Sequence, residues 1–231
     1  MPGPRVKRVA APLREQVLDL LRADILSSEF EPGERLVESR LCARYEVSRT
    51  VIREVLRQLE SEGLVSSVPN QGPVVAELTR EDAIALFEVR AALEGLAGSL
   101  FAQRADAKER KRLRDALKAV EKSLGKAELP ARLKIKDEFY AALIDGAHNE
   151  VIRTTLRGIH ARVQMLRGLS MQAPGRSAEI LRELGDITDA AAVRQDPIAA
   201  REACEKHVHN ASEVALRELE ARTRSSENGV G

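Results

Sequence analysis

The chain has 231 residues, 43% of them hydrophobic and 32% charged, an ordinary globular composition that excludes a mainly disordered or collagen-like chain. Aromatic residues make up 3%, Trp is absent, and the dominant Ala, Leu, Arg and Glu are all strong helix formers, so the expected class is mostly α. A net charge of +1 neither suggests nor excludes a polyanionic partner, but five arginines in Arg40–Arg57 face only Glu46 and Glu54. Screening confines attraction to ~8–10 Å, so such a patch can hold phosphate even where residues 1–78 as a whole are slightly acidic.

Leu13–Ser27 reads as a first helix, with Val17, Leu20, Leu21 and Ile25 on one face. Glu31-Pro32-Gly33 ends it, and a short helix follows over Glu38–Tyr45. Ser48 is the expected N-cap of a third helix carrying Val51, Ile52, Val55, Leu56 and Leu59, which stops at Glu62-Gly63. The β-prone Leu64–Val68, the turn Pro69-Asn70-Gln71-Gly72 and Pro73–Leu78 then predict a hairpin.

Beyond Leu78 no strand is expected. Thr79 caps a helix with one stripe of Leu86, Val89, Leu93, Leu96 and Leu100 and a second of Ile84, Phe87 and Ala91. A helix apolar over most of its girth belongs in a core or an oligomer interface. Amphipathic helices are predicted at Ala107–Leu124, Pro130–Gly146, Asn149–Met171, Ser177–Gln195 and Asp196–Thr223, joined at Gly125, Gly146, Pro174-Gly175 and Asp196-Pro197. The expected organisation is thus a flexible tail over 1–12, a winged helix-turn-helix over 13–78, a bundle of about six helices over 79–224 and a second tail over 225–231.

In a winged helix-turn-helix the second helix of the pair enters the major groove by its N-terminus. Here Ser48, Arg49, Thr50 and Arg53 occupy that position, beside Arg40 in the same basic stretch. An arginine fork suits guanine O6 and N7, and hydroxyls with free N–H groups suit phosphate. A merely solvated charged helix is the alternative reading of this pattern.

Residues 13–78 resemble the DNA-binding domain of the GntR family of bacterial transcription regulators. The resemblance rests on Pro32-Gly33-Glu34-Arg35-Leu36, on the run Val47 to Glu60 and on Glu62-Gly63-Leu64-Val65. The remainder resembles the FCD ligand-sensing domain of the FadR branch at Glu88–Glu94, Asp137–Leu143 and Asp196–His207. The resemblance implies a homodimer on a palindromic operator, with a small-molecule effector in the helical domain that alters DNA affinity. By position it carries operator contact to Arg49, Thr50 and Arg53 and the wing tip to Gly72.

Many domains resembling FCD hold a divalent metal with an Asp or Asn and three His. In this chain those positions align with Lys136, Tyr140, Leu184 and His207, a set that does not hold a cation, so no metal or other cofactor is expected. His209, His148 and His160 have no suitably spaced partner, and Cys42 and Cys204 are read as reduced structural thiols. If Lys136 faces the pocket, its charge would stand where the metal charge usually stands and bind a carboxylate, with Tyr140 donating a hydrogen bond; solvent is the alternative direction. Arg90 is read either as an ion pair with Glu94 or as an anion contact, and either Arg162 or Arg167 could reach the cavity.

No GxSxG, HExxH, P-loop or Rossmann fingerprint is present, so an enzyme is not expected. Every apolar run is shorter than the ~20 residues a bilayer requires, and the N-terminus lacks a secretory core, which points to a cytoplasmic protein without a membrane partner. Negative control of transcription with a small carboxylate as effector is the leading expectation. A lipid-like acyl thioester effector, or a winged domain that binds protein rather than DNA, are the alternatives.

Overall fold

The computed structural model describes residues 11–27, 29–123, 128–173 and 175–228. Of the predicted tails over 1–12 and 225–231, residues 11–12 and 225–228 are helical, while 1–10 and 229–231, the connections at Gly125 and Pro174 and the side chain of His160 lie outside the described residues. Two compact units divide between Glu77 and Leu78.

The first unit contains α1 (Ala11–Leu26), α2 (Glu38–Tyr45), α3 (Arg49–Ser61), β1 (Val65–Val68) and β2 (Gly72–Val75). Val17, Leu21 and Ile25 of α1 meet Ile52, Val55, Leu56 and Leu59 of α3 in a core where each is buried. Leu20, expected on the same face, is instead 54% exposed, and Leu18 is buried in its place, so the inward arc is rotated towards position 18. β1 and β2 pair antiparallel from Val65↔Val75 to Val68↔Gly72, so β2 ends at Val75 rather than continuing to Leu78. Its other edge is not left open: Leu36 N–H donates to Pro73 O at 2.8 Å and Val75 N–H to Glu34 O at 2.9 Å. The segment read as a turn from Pro32-Gly33 therefore adds a strand-like stub, with a bridge at Arg35↔Val74.

Thr79 opens the second unit with a capping box: its hydroxyl accepts from Asp82 N–H while the Asp82 carboxylate accepts from Thr79 N–H. The helices are α4 (Arg80–Arg104), α5 (Ala107–Ser123), α6 (Leu129–Gly146), α7 (Glu150–Gln172), α8 (Arg176–Thr188) and α9 (Pro197–Asn228). α4 lies against α9, and at Gly98 a Cβ would come within 2.7 Å of Cys204 Sγ, so the glycine sets how closely they approach. α9 starts under the cap of Asp196, whose carboxylate accepts from Ile198 N–H and Ala199 N–H at 3.0 Å, and it continues past Thr223 to Asn228 because no Gly or Pro interrupts it earlier.

Two expectations change. Ser177–Gln195 is not one α-helix: α8 stops at Thr188 and a π-helical turn spans Asp189–Val193, with Arg194 N–H reaching Asp189 O at 2.8 Å. Ala190, Ala191 and Ala192 are all buried there, and such small side chains let the wide turn pack without signalling it in the sequence. The buried line of α4 is also not the leucine stripe. It runs through Ala83, Phe87, Arg90, Glu94, Ala97 and Phe101; of the leucine stripe Leu86 is buried, while Val89 is 43% exposed and Leu93, Leu96 and Leu100 are half-buried.

Candidate nucleic-acid interface and ligand cavity

Ser48 caps α3 through its hydroxyl, which accepts from Val51 N–H at 3.5 Å. That cap fixes where the helix begins, and it presents Arg49, Thr50 and Arg53 to solvent while Ile52 and Val55 anchor the opposite side. Arg40 on α2 is exposed on the same unit, and neither it nor Arg49 or Arg57 makes an ion pair or hydrogen bond among the described residues. Arg53 differs, for its Nε donates to both oxygens of Glu38 at 2.9 and 3.0 Å. α3 is held from behind by Arg22 of α1, which pairs with Glu62 at 3.0 Å. α2 is held by Asp24, which accepts from Tyr45 Oη at 2.7 Å and from Arg44 Nε at 3.0 Å. Gly72 starts β2 at φ +86° with open space around its Cβ position, so the turn needs glycine for its backbone rather than for room. Free guanidinium groups around an uncovered helix start form a surface suited to a polyanion.

The second candidate site lies among α4, α6 and α7, where a cavity of about 300 Å³ has Glu94, Tyr140 and Arg167 in its wall, apolar flanks at Ile144 and Leu156, and Arg157 at an exposed position. Of the predicted effector residues, Tyr140 lines this cavity; Arg90, Lys136, Arg162 and His207 do not. Arg162 is half-buried with its Nε unbonded. Arg167, the alternative to Arg162, supplies the guanidinium, with Cζ 3.8 Å from the Tyr140 ring centroid.

Beneath the cavity is a buried polar network. Arg90 pairs with Glu94 at 2.9 Å, and both are at most 2% exposed, which is the ion-pair arrangement of the two readings of Arg90. Arg167 reaches Glu94 at 3.5 Å and Asp137 at 2.6 Å. Glu183 accepts from Arg176 twice at 2.7 Å, from Asn210 at 2.7 Å and from His207 Nδ1 at 2.6 Å. A carboxylate only accepts, so Nδ1 carries the proton, and Nε2 in turn accepts from Tyr140 Oη at 2.7 Å. Burial, aided by the nearby Lys136, lowers the His207 pKa to about 4 despite Glu183, so the ring is neutral near pH 7. Burial alone would push Glu183 up, but His207, Arg176 and Asn210 hold it down at about 2. Burial likewise pushes the Tyr140 phenol up and keeps it a donor. The sequence reading did not single out Arg176, Glu183 or Asp137. The seven-residue spacing of Arg176 and Glu183, which places both on one helix face, was the available signal.

Residues 13–75 match the bacterial regulatory proteins of the gntR family, and residues 85–210 match the FCD domain. The chain belongs to the GntR family. It is 36% identical over 154 residues to the Nta operon transcriptional regulator of Aminobacter aminovorans, covering 67% of this chain and 73% of that one. It is 30% identical over 172 residues to the HTH-type transcriptional regulator YdhC of Bacillus subtilis (strain 168), covering 73% and 75%. Its fold is similar to the solved structure of E. coli McbR/YncC, with a TM-score of 0.75 at 18% identity over 89% of this chain and 97% of that one. This GntR-family protein is accordingly a DNA-binding transcriptional regulator with an effector-binding FCD domain, and not an enzyme. No helix among the described residues is long and apolar enough to cross a membrane.

The donor set at the FCD metal positions does not fit a divalent cation. Leu184 is fully buried without a donor atom, Lys136 brings a cation's own charge, and both nitrogens of His207 are engaged by Glu183 and Tyr140. Among the described residues no cluster of three His, Cys, Asp or Glu side chains is placed to hold a metal.

Proposed function

We propose that this regulator binds a near-palindromic operator as a homodimer in the cytoplasm and represses by occupancy, and that a small carboxylate in the FCD cavity lowers its operator affinity. The observation that carries the reading is the capped start of α3, where exposed Arg49 and Thr50 precede Arg53 and flank a helix end with unbonded N–H groups. Arg49, Arg53 and Thr50 read the groove, Ser48 and Arg40 hold phosphate, and the Gly72 turn forms the wing tip. One short helix reads too few base pairs to select a site in a genome, and two-fold repetition doubles the contacts. A cavity of about 300 Å³ with apolar flanks and an arginine in its wall favours a small acid over an acyl thioester of a large carrier. A coupling of ~1–3 kcal/mol between the two sites is enough to shift operator affinity about 5–150-fold.

The test is selection of bound duplexes from a random library by the purified protein, followed by titration at several salt concentrations. An enriched inverted repeat whose affinity falls steeply with salt supports the reading, and enrichment of a single asymmetric site would overturn the dimeric operator.

A further inference from the structure

Lys136 is 2% exposed, yet among the described residues no hydrogen bond or ion pair reaches its ammonium. An aromatic ring lies beside it, with Nζ 5.8 Å from the Tyr140 centroid, and the same ring carries the Arg167 guanidinium. Charged groups act on Lys136 from several helices: Arg90 and Glu94 on α4, Arg167 on α7 and Arg176 on α8, with Asp137 next to it in sequence, Glu183 paired to Arg176, and the neutral His207 on α9. Each of these carboxylates is already committed to a guanidinium, Glu94 to Arg90, Asp137 to Arg167 and Glu183 to Arg176. Among the described residues the ammonium is the cation left over.

Donors are left over as well. Arg90 Nη1, Arg167 Nε, Arg176 Nε and Ser170 Oγ are buried with no hydrogen-bond partner among the described residues. An isolated buried charge costs several kcal/mol, and breaking a pair is worse than never burying one, so a cluster with surplus positive charge and surplus donors is incomplete without an anion. Burial first, then Arg167, Arg90 and Arg176, hold the Lys136 pKa well below the ordinary lysine value against the weaker pull of Glu94, consistent with a missing counter-ion.

We propose that Lys136 is the built-in counter-charge for an organic carboxylate, which this FCD domain takes up in the α4–α6–α7 cavity without any divalent metal. Arg167 in the cavity wall meets the carboxylate, and Lys136 behind the Tyr140 ring supplies the net positive charge that a metal supplies elsewhere in FCD domains. The proposal rests on the effector reading above.

The experiment is thermal unfolding of the full chain in excess EDTA with butyrate or benzoate, each compared with its neutral amide, for the wild type and for Lys136→Met. Met keeps the volume and removes the uncompensated charge, so the unliganded variant is expected to melt several degrees higher than the wild type. The carboxylates, and not the amides, are expected to stabilise the wild type, and their affinity is expected to fall at least about tenfold in the variant. Stabilisation seen only after adding a divalent metal, equal stabilisation of both proteins, no response to either acid, or a variant that melts lower or fails to fold would each overturn it. Duplex binding by the unliganded proteins is measured alongside. Its loss in the wild type sinks the regulator reading, whereas intact duplex binding with a failed acid response sinks the Lys136 proposal alone.

Discussion

Arg53 of α3 and Glu38 of α2 are joined through one edge of the guanidinium only, Nε donating to both carboxylate oxygens at 2.9 and 3.0 Å. The terminal amino groups of Arg53 make no ion pair or hydrogen bond among the described residues. A side chain that is 59% exposed would ordinarily sample many rotamers, and the acid restricts it while leaving the fork available. Glu38 is thus a positioning residue with two opposed effects, orientation of Arg53 and repulsion of phosphate. Glu38→Gln is expected to tighten binding to random duplex while narrowing the ratio of selected to random affinity. Competition titrations against both duplexes measure the two effects separately.

Arg49 and Arg53 lie one turn apart on α3 but differ in freedom, since the Arg49 side chain makes no ion pair or hydrogen bond among the described residues. Arg53→Ala is expected to cost ~1–3 kcal/mol with relaxed preference at one operator position. For Arg40→Ala, at the phosphate contact proposed above, affinity should fall alike on all sequences and the salt dependence should lessen by about one unit in slope per contact. Binding measured across a panel of single-base operator variants at two salt concentrations separates the two behaviours.

How much of this was legible in the sequence follows from what each signal depends on. The start of α3 was readable because Ser48 and the apolar spacing from Ile52 to Leu59 are local, and local chemistry alone fixes a cap. The pairing of Gly33–Leu36 with the far edge of β2 was not, because it depends on a partner some forty residues away and on main-chain groups that every residue carries. In α4 the hydrophobic pattern pointed to the leucines, yet the buried line includes Arg90 and Glu94. Their i, i+4 spacing allowed an ion pair to be read from the sequence, but its burial depends on tertiary neighbours such as Arg167, which no periodicity rule anticipates. The alignment with metal-binding relatives marked Lys136, Tyr140 and His207 as a group, whereas Glu183 and Arg176, which decide the state of His207, emerged only from the fold.

The Arg90–Glu94 pair makes a sharp stability prediction. Glu94 is the acceptor for Arg90 and lies 3.5 Å from Arg167, so Glu94→Gln leaves two guanidinium groups short of charge in a buried site. A loss of ~3–5 kcal/mol is expected for the helical unit. Urea unfolding followed by far-ultraviolet circular dichroism, with duplex binding as a check that the winged unit is intact, measures it.

His207 sets an acid limit. Its folded pKa of about 4 lies below the ordinary value of 6.5, so between those values the unfolded chain binds a proton that the folded chain does not. Stability from this group is fully present above about pH 6.5 and is lost as pH falls towards 4. Glu183, held at about 2, adds a further loss between about pH 4.5 and 2. The His207 contribution is on the order of 3 kcal/mol, shared with its partners in the network. Melting temperature against pH is expected to fall more steeply between pH 6.5 and 4 in the wild type than in His207→Gln, which cannot titrate.

Lys136 gives a slope of the same sign at the alkaline end. Its pKa in the fold is depressed, chiefly by burial and then by Arg167, Arg90 and Arg176, so at pH values between that lowered pKa and 10.5 only the unfolded chain is protonated. The folded state is penalised throughout that window, and the penalty shrinks as pH rises towards the ordinary lysine value. The melting temperature of Lys136→Met minus that of the wild type is therefore expected to be positive near pH 7 and to decline steadily towards pH 10. A carboxylate bound in the cavity would favour the charged form of Lys136, so at saturating butyrate the same difference should contract. Were the difference constant from pH 7 to 10, Lys136 would hold the same charge in both states, and its role as an unpaired interior cation would be wrong.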